Sequence, residues 1–389
     1  MSSLAYVQLG QVAKLNPALN AASTLGDELV DFLPMSAVDA EHSIATSNEV
    51  RQFRDVQKGY TNFSDGDVLV AKITPCFENG KIAQVRLKNR YGFGSTEFHV
   101  LRAASDRLDS RYLVHFLRRD QILLDGKLKM TGSAGQRRVP KHFLESLPIP
   151  LPALLEQRRI AAILDQADAL RAKRREALAQ LDSLIQSIFI DMFGDPVTNP
   201  KGWKRSIVGD VTDCIVPGRD KPKSFTGEIP WVTTEDLVHL DFTHHSSKGL
   251  GLSAAEIKEV KARVIPAGSV MISCVGNLGR PTIAANDMVI NQQLHSFQCR
   301  EQINNVFLMH CLAAQTAFMY AKASSTTLPY MNKSVCNSIP VQIPPVDRQC
   351  SFADRVFTIN GIKNQQRAFL AELDALFASL QHRAFRGEL

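Results

Sequence analysis

The feature that most constrains this chain is an internal repeat. The segment Leu147–Pro152 is followed by a long helical pattern, and Ile339–Pro344, 192 positions later, is followed by another. The same offset relates Leu181 to Leu373. Solenoid repeats have periods of roughly 20–50 residues, so this repeat indicates a duplicated domain followed by a duplicated helix. Duplication of this kind predicts pseudo-twofold symmetry, which suits partners that are themselves twofold or bipartite.

The bulk composition is that of a soluble protein with more than one domain. The chain has 389 residues, of which 44% are apolar and 22% charged, enough for two full cores. The net charge of +6 is a mild tilt toward anionic partners. We see no uninterrupted apolar run long enough for a membrane span and no signal peptide, and the seven cysteines never form CxxC. These observations predict a cytoplasmic protein with reduced thiols and no zinc site.

The chain is predicted to divide into four segments. Residues 1–152 and 195–344 mix short strand-like runs with helical patterns, including a helix expected over Tyr112–Leu124. Residues 153–194 are predicted as a long helix, because 153–193 contain no Gly or Pro and keep a heptad spacing. Residues 345–389 are predicted as a second long helix, because they repeat this pattern. A helix of that length measures roughly 60 Å. The fold class is therefore α+β, with a small twisted sheet plus helices in each globular domain.

The two long helices are predicted to pack against each other as an antiparallel coiled coil, since neither can bury its apolar columns alone. Arg174 and Gln366 occupy equivalent column positions, where a polar residue can fix register or can be a solvated slip in the pattern. Gly361 costs about 1 kcal/mol relative to Ala inside a helix. The residues expected to pack between the helices are Ile160, Ile163, Leu170, Leu181, Leu184, Ile188, Phe352, Ile359, Ile362, Phe369, Leu373 and Leu376.

Three stretches resemble the specificity (S) subunits of type I restriction–modification enzymes. Leu147–Asp165 is close to the central segment of that family, in which Pro-Leu-Pro, a short apolar stretch, Glu-Gln and a basic pair lead into a helix. Gly227–Leu237 resembles an early motif of the family's target recognition domains, and Asp67–Lys81 resembles a later turn. The chain departs from the family pattern at two places. The second copy of the central segment lacks the Glu before Gln349, and in the first domain Leu33-Pro34-Met35 stands where the early motif has Pro-Trp.

The resemblance covers essentially the whole chain. The predicted order of segments, domain–helix–domain–helix, is also the arrangement of that family. It implies two target recognition domains that each read half of a split DNA sequence. It also implies that the long helices dock two methyltransferase subunits and, through them, restriction/translocase subunits. The partner methyltransferase is then expected to use S-adenosylmethionine, and the partner motor subunit ATP and Mg.

Motifs for catalysis are weak in this sequence. Gly92-Phe93-Gly94 is a lone GxG, Asn199-Pro200-Lys201 lacks the second Pro and the aromatic residue of an adenine methyltransferase, and there is no GxxxxGK[ST]. The adjacent His244 and His245 cannot share a helix face as metal ligands, and we interpret them as surface residues. The chain is therefore predicted to be non-catalytic and to bind no cofactor or metal itself.

Basic and amide side chains concentrate in matched loops of both domains. Such residues contact phosphates and base edges, although each one alone could equally be a solvated surface residue. The predicted DNA-binding residues are Lys72, Asn79, Lys81, Gln136, Arg137, Arg138 and Lys141 in the first domain, and Arg219, Lys221, Lys223, Thr233, Thr234, Asn277, Arg280, Asn291, Gln292, Gln293, Tyr330, Asn332 and Lys333 in the second.

The sequence favours a non-enzymatic subunit that reads a bipartite double-stranded DNA target and scaffolds the methyltransferase and restriction subunits. The alternative is a coiled-coil protein–protein adaptor without DNA specificity. A nuclease fused to its own recognition domains has no catalytic residues to support it. Neighbouring genes for an adenine methyltransferase and a motor nuclease would discriminate between the first two hypotheses.

Overall fold

The computed structural model describes residues 5–19, 26–38, 40–133, 135–218, 220–325 and 328–389. The chain divides into two compact units: unit 1 comprises residues 1–177 and 366–389, and unit 2 comprises residues 178–365. The division runs through the long helices rather than at their ends, so the four predicted segment boundaries stay predictions. Within the part of the chain described, no helix combines the length and apolarity that a membrane crossing requires.

Unit 1 is built on a five-stranded sheet in the order β2-β10-β7-β8-β4 and a four-stranded sheet in the order β5-β3-β9-β6, while β1 pairs with β11. Its strands are β1 (Tyr6–Gln8), β2 (Ala13–Leu15), β3 (Leu29–Leu33), β4 (Ile44–Thr46), β5 (Glu49–Gln52), β6 (Thr61–Ser64), β7 (Val68–Ala71), β8 (Ile82–Arg86), β9 (Tyr91–Gly94), β10 (Phe98–Ala103) and β11 (Pro148–Pro150). Its helices are α1 (Phe53–Val56), α2 (Ser110–Leu117), α3 (Asp120–Lys129), α4 (Lys141–Glu145), the first part of α5 (Leu154–Phe193) and the last part of α11 (Val346–Ala384).

Unit 2 repeats this topology, with a five-stranded sheet in the order β13-β21-β18-β19-β15 and a four-stranded sheet in the order β16-β14-β20-β17. Two further pairs are β12-β24 and β22-β23. Its strands are β12 (Lys204–Ile207), β13 (Thr212–Ile215), β14 (Ile229–Val232), β15 (Phe242–Thr243), β16 (Gly251–Leu252), β17 (Val264–Ile265), β18 (Val270–Ser273), β19 (Thr282–Ala284), β20 (Met288–Ile290), β21 (Leu294–Cys299), β22 (Ser324–Ser325), β23 (Pro329–Tyr330) and β24 (Pro340–Ile343). Its helices are the last part of α5, α6 (Val208–Val211), α7 (Ala254–Glu259), α8 (Asn305–Ala314), α9 (Thr316–Lys322), α10 (Lys333–Asn337) and the first part of α11.

The equivalent helices α2 and α8 begin with the same type of cap. The Asp109 side chain accepts hydrogen bonds from the first backbone N–H groups of α2, and the Asn304 side chain does the same for α8. The single helix predicted over 112–124 is wrong, because Arg119 adopts an extended conformation that separates α2 from α3. The break lets Ile122 of α3 turn into the same apolar core as Leu117 of α2.

The long helices belong to the domain cores. In unit 1, Ile160 and Leu164 of α5 share one apolar cluster with Tyr112 of α2 and with Phe385, which directly follows α11. Part of the apolar face of each long helix is therefore buried against a globular domain, and such tertiary packing is what stabilises a long helix. In unit 2 the corresponding cluster joins Ile185, Phe189, Phe193, Phe307, Phe352 and Val356.

The two long helices run antiparallel in unit 1, as predicted. Arg171 Nε of α5 donates to Asp374 Oδ1 of α11 at 2.6 Å, and Arg174 donates to Gln366. Residue numbers rise along one helix while they fall along the other, which requires opposite directions. Arg174 and Gln366 are thus partners across the helix pair rather than a solvated slip, consistent with a role in fixing register.

The helix pair in unit 2 carries the equivalent ion pair. Lys363 of α11 contacts Asp182 of α5 at 2.7 Å, and these residues are offset by 192 positions from Arg171 and Asp374. The Lys363 side chain is almost fully buried, whereas Asp182 is largely exposed. The repeat therefore preserves one interhelical charge pair in each unit.

The residues expected to pack between the helices fall into three groups. Ile160, Phe352 and Ile359 are buried, and Ile163, Leu181, Ile188 and Leu373 are half-buried. The expected burial is absent at Leu170, Leu184, Ile362, Phe369 and Leu376, which are 40–54% exposed. The physical reason is that the globular domain draws a different helix face inward, so that one of the two heptad columns is left on the surface.

A buried glutamine ties each long helix to its domain. Gln157 Oε1 accepts from the Asp109 N–H at 2.9 Å, and its Nε2 donates to the carbonyls of Arg107 at 2.8 Å and Pro152 at 2.9 Å. The preceding Glu156 is half-buried and pairs with Arg159 on the helix surface. In the Glu-Gln pair of the first copy, the glutamine therefore makes the structural contacts.

Gln349 makes the same contacts in unit 2. Its Oε1 accepts from the Asn304 N–H at 2.8 Å, and its Nε2 donates to the carbonyls of Gln302 at 3.2 Å and Pro344 at 2.8 Å. The missing Glu of the second copy is thus compatible with an unchanged joint between domain and helix.

The chemistry beside this joint differs between the units. In unit 1, His115 Nε2 lies 2.7 Å from Asp165 Oδ1, and Arg111 pairs with the same carboxylate. Burial alone would raise the pKa of Asp165, but the hydrogen bonds from His115 and Arg111 outweigh it and lower that pKa to about 2.

The equivalent histidine of unit 2 packs against aromatic rings. His310 stacks on Phe189 and meets the edge of Phe352. Burial, together with the nearby His239 and Lys363, lowers the pKa of His310 to about 4. The imidazole is therefore neutral at pH 7 and acts as a packing residue.

Candidate nucleic-acid interface

Three loop segments of unit 1 meet where β7 ends and β10 begins. The Lys72 N–H donates to the Glu97 carbonyl at 2.9 Å, the Val139 N–H to the Lys72 carbonyl at 2.8 Å, and the Thr74 N–H to the Arg137 carbonyl at 2.9 Å. We call these segments, residues 72–81, 95–97, 131–133 and 135–141, the first loop edge. Segments far apart in sequence are thereby held in one backbone frame.

The same frame recurs in unit 2. The Cys274 N–H donates to the Gln293 carbonyl at 2.8 Å, the Met331 N–H to the Cys274 carbonyl at 2.9 Å, and the Gly276 N–H to the Pro329 carbonyl at 2.9 Å. We call the corresponding segments, residues 274–280, 291–293 and 329–333, together with Thr233 and Thr234, the second loop edge. Each hydrogen bond of one frame has a counterpart in the other.

A buried histidine reinforces each frame. His99 of β10 lies with Nε2 2.9 Å from the Val139 carbonyl, and burial lowers its pKa. A neutral ring can donate from Nε2 to this carbonyl while Nδ1, 3.3 Å from Asn16 Nδ2, accepts. His295 of β21 takes the equivalent place, because it hydrogen-bonds the backbone of Met331 and burial lowers its pKa as well. The sequence reasoning missed both histidines, although an alignment of the two copies would have paired them.

The side chains on the first loop edge form internal contacts. Arg138 Nη2 and Nε clamp the Glu97 carboxylate at 2.7 and 2.9 Å. Arg137 Nη2 donates to the Lys127 and Met130 carbonyls near the end of α3. These arginines are therefore ordered by the protein itself.

The remaining predicted residues of the first domain vary in exposure. Lys81 Nζ donates to the Met35 carbonyl at 3.3 Å, and Lys141 pairs with Glu145 at 3.0 Å. Lys72 is half-buried, and Asn79 and Gln136 are exposed.

Amides and hydroxyls dominate the second loop edge. Gln293 Oε1 accepts from Asn291 Nδ2 at 3.1 Å and from Thr234 Oγ1 at 3.4 Å. Tyr330 is exposed and pairs across the edge with Val275. Where unit 1 presents a carboxylate and a guanidinium, unit 2 thus presents an amide and a phenol.

Other predicted residues of the second domain hold loops and helix ends. Thr233 donates from its backbone and its hydroxyl to Asp236, and Arg280 donates to the Leu237 carbonyl. Gln292 Nε2 donates to the Gly218 carbonyl at 3.0 Å, and Asn332 caps α10. Lys221, Lys223, Asn277 and Lys333 are exposed, and Arg219 lies outside the described residues.

The long helices expose an apolar groove within unit 1. The groove measures about 560 Å³ and is lined by Leu170, Lys173, Arg174, Phe369, Glu372, Leu373 and Leu376. It includes three of the five residues whose burial was expected but not seen. Exposed apolar surface of this kind marks protein interaction sites.

The chain belongs to the family described as the type I restriction modification DNA specificity domain, whose sequence model matches residues 3–180 and 200–370. Each match covers one globular domain and part of the long helix that follows it. The family expected from the three motifs is thereby confirmed, and the two domains are DNA specificity domains of that family.

Individual relatives agree with this membership. The chain is similar to the specificity subunit of type I restriction enzyme EcoAI of Escherichia coli, with 39% identity over 180 residues, which are 46% of this chain and 30% of that subunit. A putative MjaX specificity subunit of Methanocaldococcus jannaschii is 21% identical over 368 residues, covering 90% and 81% of the two chains. The match to the E. coli subunit spans less than a third of that relative's length.

Two solved structures share the fold. One is a chain described under complex assembly and conformational transition of the type I R-M system, with a TM-score of 0.57, 22% identity and coverage of 100% and 99%. The other is a type I restriction-modification S subunit from M. genitalium, with a TM-score of 0.56, 14% identity and coverage of 99% and 97%.

Proposed function

We propose that the chain reads a bipartite DNA target, with the first loop edge reading one half-site and the second loop edge reading the other. The observation that supports this most directly is that the two edges share one backbone frame but carry different side chains. A shared frame presents side chains to a duplex in the same way, and different side chains select different base edges. The family membership favours this function over the adaptor alternative.

The long helices are proposed to dock two methyltransferase subunits and, through them, restriction/translocase subunits. The exposed apolar groove of unit 1 supports a docking role, as do the exposed Leu184 and Ile362 of unit 2. In this proposal the chain is non-catalytic and works in the cytoplasm. S-adenosylmethionine is then used by the methyltransferase, and ATP and Mg by the motor subunit.

A domain exchange tests the division of labour. Residues 195–344 are replaced by the matching domain of a relative, and the methylated motif is read by sequencing genomic DNA from cells that also express the methyltransferase. We expect one half-site to change and the other to stay. A swap that alters both halves together would show that the units do not read independently.

A helix insertion tests whether the helices set the spacer between the half-sites. Four residues, about one helical turn, are inserted near Ala172. We expect a longer spacer or loss of activity, with both half-site sequences intact wherever activity remains. A changed half-site sequence would contradict the assignment of base reading to the loop edges.

The non-catalytic role is tested with purified components. The chain alone, with S-adenosylmethionine and target DNA, should transfer no methyl groups, and added methyltransferase subunit should restore transfer. Methylation by the chain alone would overturn this part of the proposal.

A further inference from the structure

Glu97 and Gln293 occupy the same place in the two loop edges. The Glu97 carbonyl accepts from Lys72, the first residue after β7, and the Gln293 carbonyl accepts from Cys274, the first residue after β18. Each also directly precedes the strand that lies second in the order of its five-stranded sheet, β10 or β21. The backbone therefore presents these two side chains equivalently.

The chemistry of the two side chains differs in a way that matters to a base edge. An ionised carboxylate only accepts hydrogen bonds, whereas an amide both donates and accepts. Glu97 is held by Arg138, and the hydrogen bond from Arg138 lowers the pKa of Glu97, which keeps the carboxylate ionised at neutral pH. Gln293 uses its Oε1 for Asn291 and Thr234, contacts that orient the amide.

Both side chains are partly accessible. The Glu97 side chain is 24% exposed and its Arg138 partner 41% exposed, while Gln293 is exposed. A carboxylate has about four lone-pair sites, so the Arg138 clamp leaves Glu97 able to accept a further hydrogen bond. A rigidly held acceptor loses little conformational entropy on contact with DNA.

We propose that positions 97 and 293 discriminate bases, one in each half-site. This inference rests on the proposed DNA-reading function. Glu97 selects a base that presents an exocyclic amino group in the major groove, whereas Gln293, whose Oε1 already accepts from Asn291 and Thr234, selects a base acceptor such as N7 or O6 of guanine through its Nε2–H. Guanine and thymine are disfavoured at the position that Glu97 reads, because their keto oxygens and the carboxylate are all acceptors and no proton lies between them.

The test exchanges the two functional groups in the full chain. Wild type, Glu97→Gln and Gln293→Glu are each purified with the methyltransferase subunit, and preferred targets are selected from a randomised duplex library. Glu97→Gln should lower the preference at one position of one half-site by about 10- to 100-fold, and Gln293→Glu should do so in the other half-site. All remaining positions should stay the same.

Matched controls separate base reading from loss of a surface ion pair. Glu49→Gln breaks the exposed Glu49–Arg51 pair of unit 1, and Asp213→Asn breaks the exposed Asp213–Arg300 pair of unit 2. Both should select the wild-type motif. If Glu97→Gln weakens binding equally at all sequences and keeps the motif, Glu97 is structural and the inference is overturned. If the wild-type complex selects no bipartite motif, the proposed function itself fails, and the inference fails with it.

Discussion

Replacing Gln157 by leucine removes hydrogen bonds from a fully buried side chain while nearly keeping its volume. The amide makes one acceptor and two donor contacts, at 2.8–2.9 Å, to backbone groups of the domain and of the Pro-rich approach to α5. Each such bond contributes roughly 0.5–1.5 kcal/mol net, so we expect the free energy of unfolding of unit 1 to fall by about 3 kcal/mol.

Urea denaturation followed by circular dichroism measures this loss as a lower midpoint with an unchanged slope. Glu156→Ala is the matched control, because its ion pair with Arg159 lies on the surface, where such pairs contribute little. The reasoning would be refuted if Glu156→Ala destabilised the chain as much as Gln157→Leu. Gln349→Leu should cause a similar loss in unit 2, and because the two glutamines share no partner, the losses should add in the double variant.

The other predictions concern single positions on the long helices and in the cores. Gly361→Ala should raise the free energy of unfolding by about 1 kcal/mol in the same denaturation assay, because an added Cβ meets nothing within 4 Å and the equivalent position of the first copy is Ala169. A lower free energy of unfolding would mean that the fold requires glycine at this position. The pKa of His310 is about 4 in the folded chain and about 6.5 in the unfolded chain, so the unfolded state binds the proton first and the free energy of unfolding falls as the pH drops from 6.5 to 4. His310→Phe should remove about 3 kcal/mol of this fall between pH 7 and pH 4. An unchanged pH dependence of stability would contradict this reasoning. Leu376→Gln, at an exposed groove position, should leave the urea midpoint nearly unchanged but weaken methyltransferase binding in a pull-down titration. Leu164→Ala, in the buried core, should instead lower the free energy of unfolding by about 2–5 kcal/mol. A large stability loss from Leu376→Gln would show that this groove residue serves the fold.

Much of the architecture could be predicted because its signals are local or strictly periodic. Forty-one residues without Gly or Pro, 153–193, can hardly be anything but a helix, and the observed α5 spans Leu154–Phe193. The repeat offset gave two domains of one topology, and their sheets have matching strand orders. The antiparallel direction of α5 and α11 was predicted correctly from two signals together. The heptads of the two helices match, and each helix leaves its domain in the same way.

The choice of buried helix face could not be predicted from the heptads. A heptad pattern identifies apolar columns but not which surface covers them. In this protein the globular domains compete with the partner helix, so Leu164 is buried while Leu170 is exposed. The helix expected over 112–124 is divided at Arg119, whose extended backbone brings Ile122 of α3 into the core of unit 1.

The sequence by itself determined the family, the repeat and the loops in which polar side chains gather. Only the tertiary structure decided which of those side chains meet. Glu97 and Arg138 are 41 positions apart and come together because β7, β10 and the segment before α4 exchange backbone hydrogen bonds. Pairing between distant strands depends on the whole sheet, and no local pattern encodes it. That pairing gives the two loop edges one frame, in which Glu97 stands where Gln293 stands in the second copy.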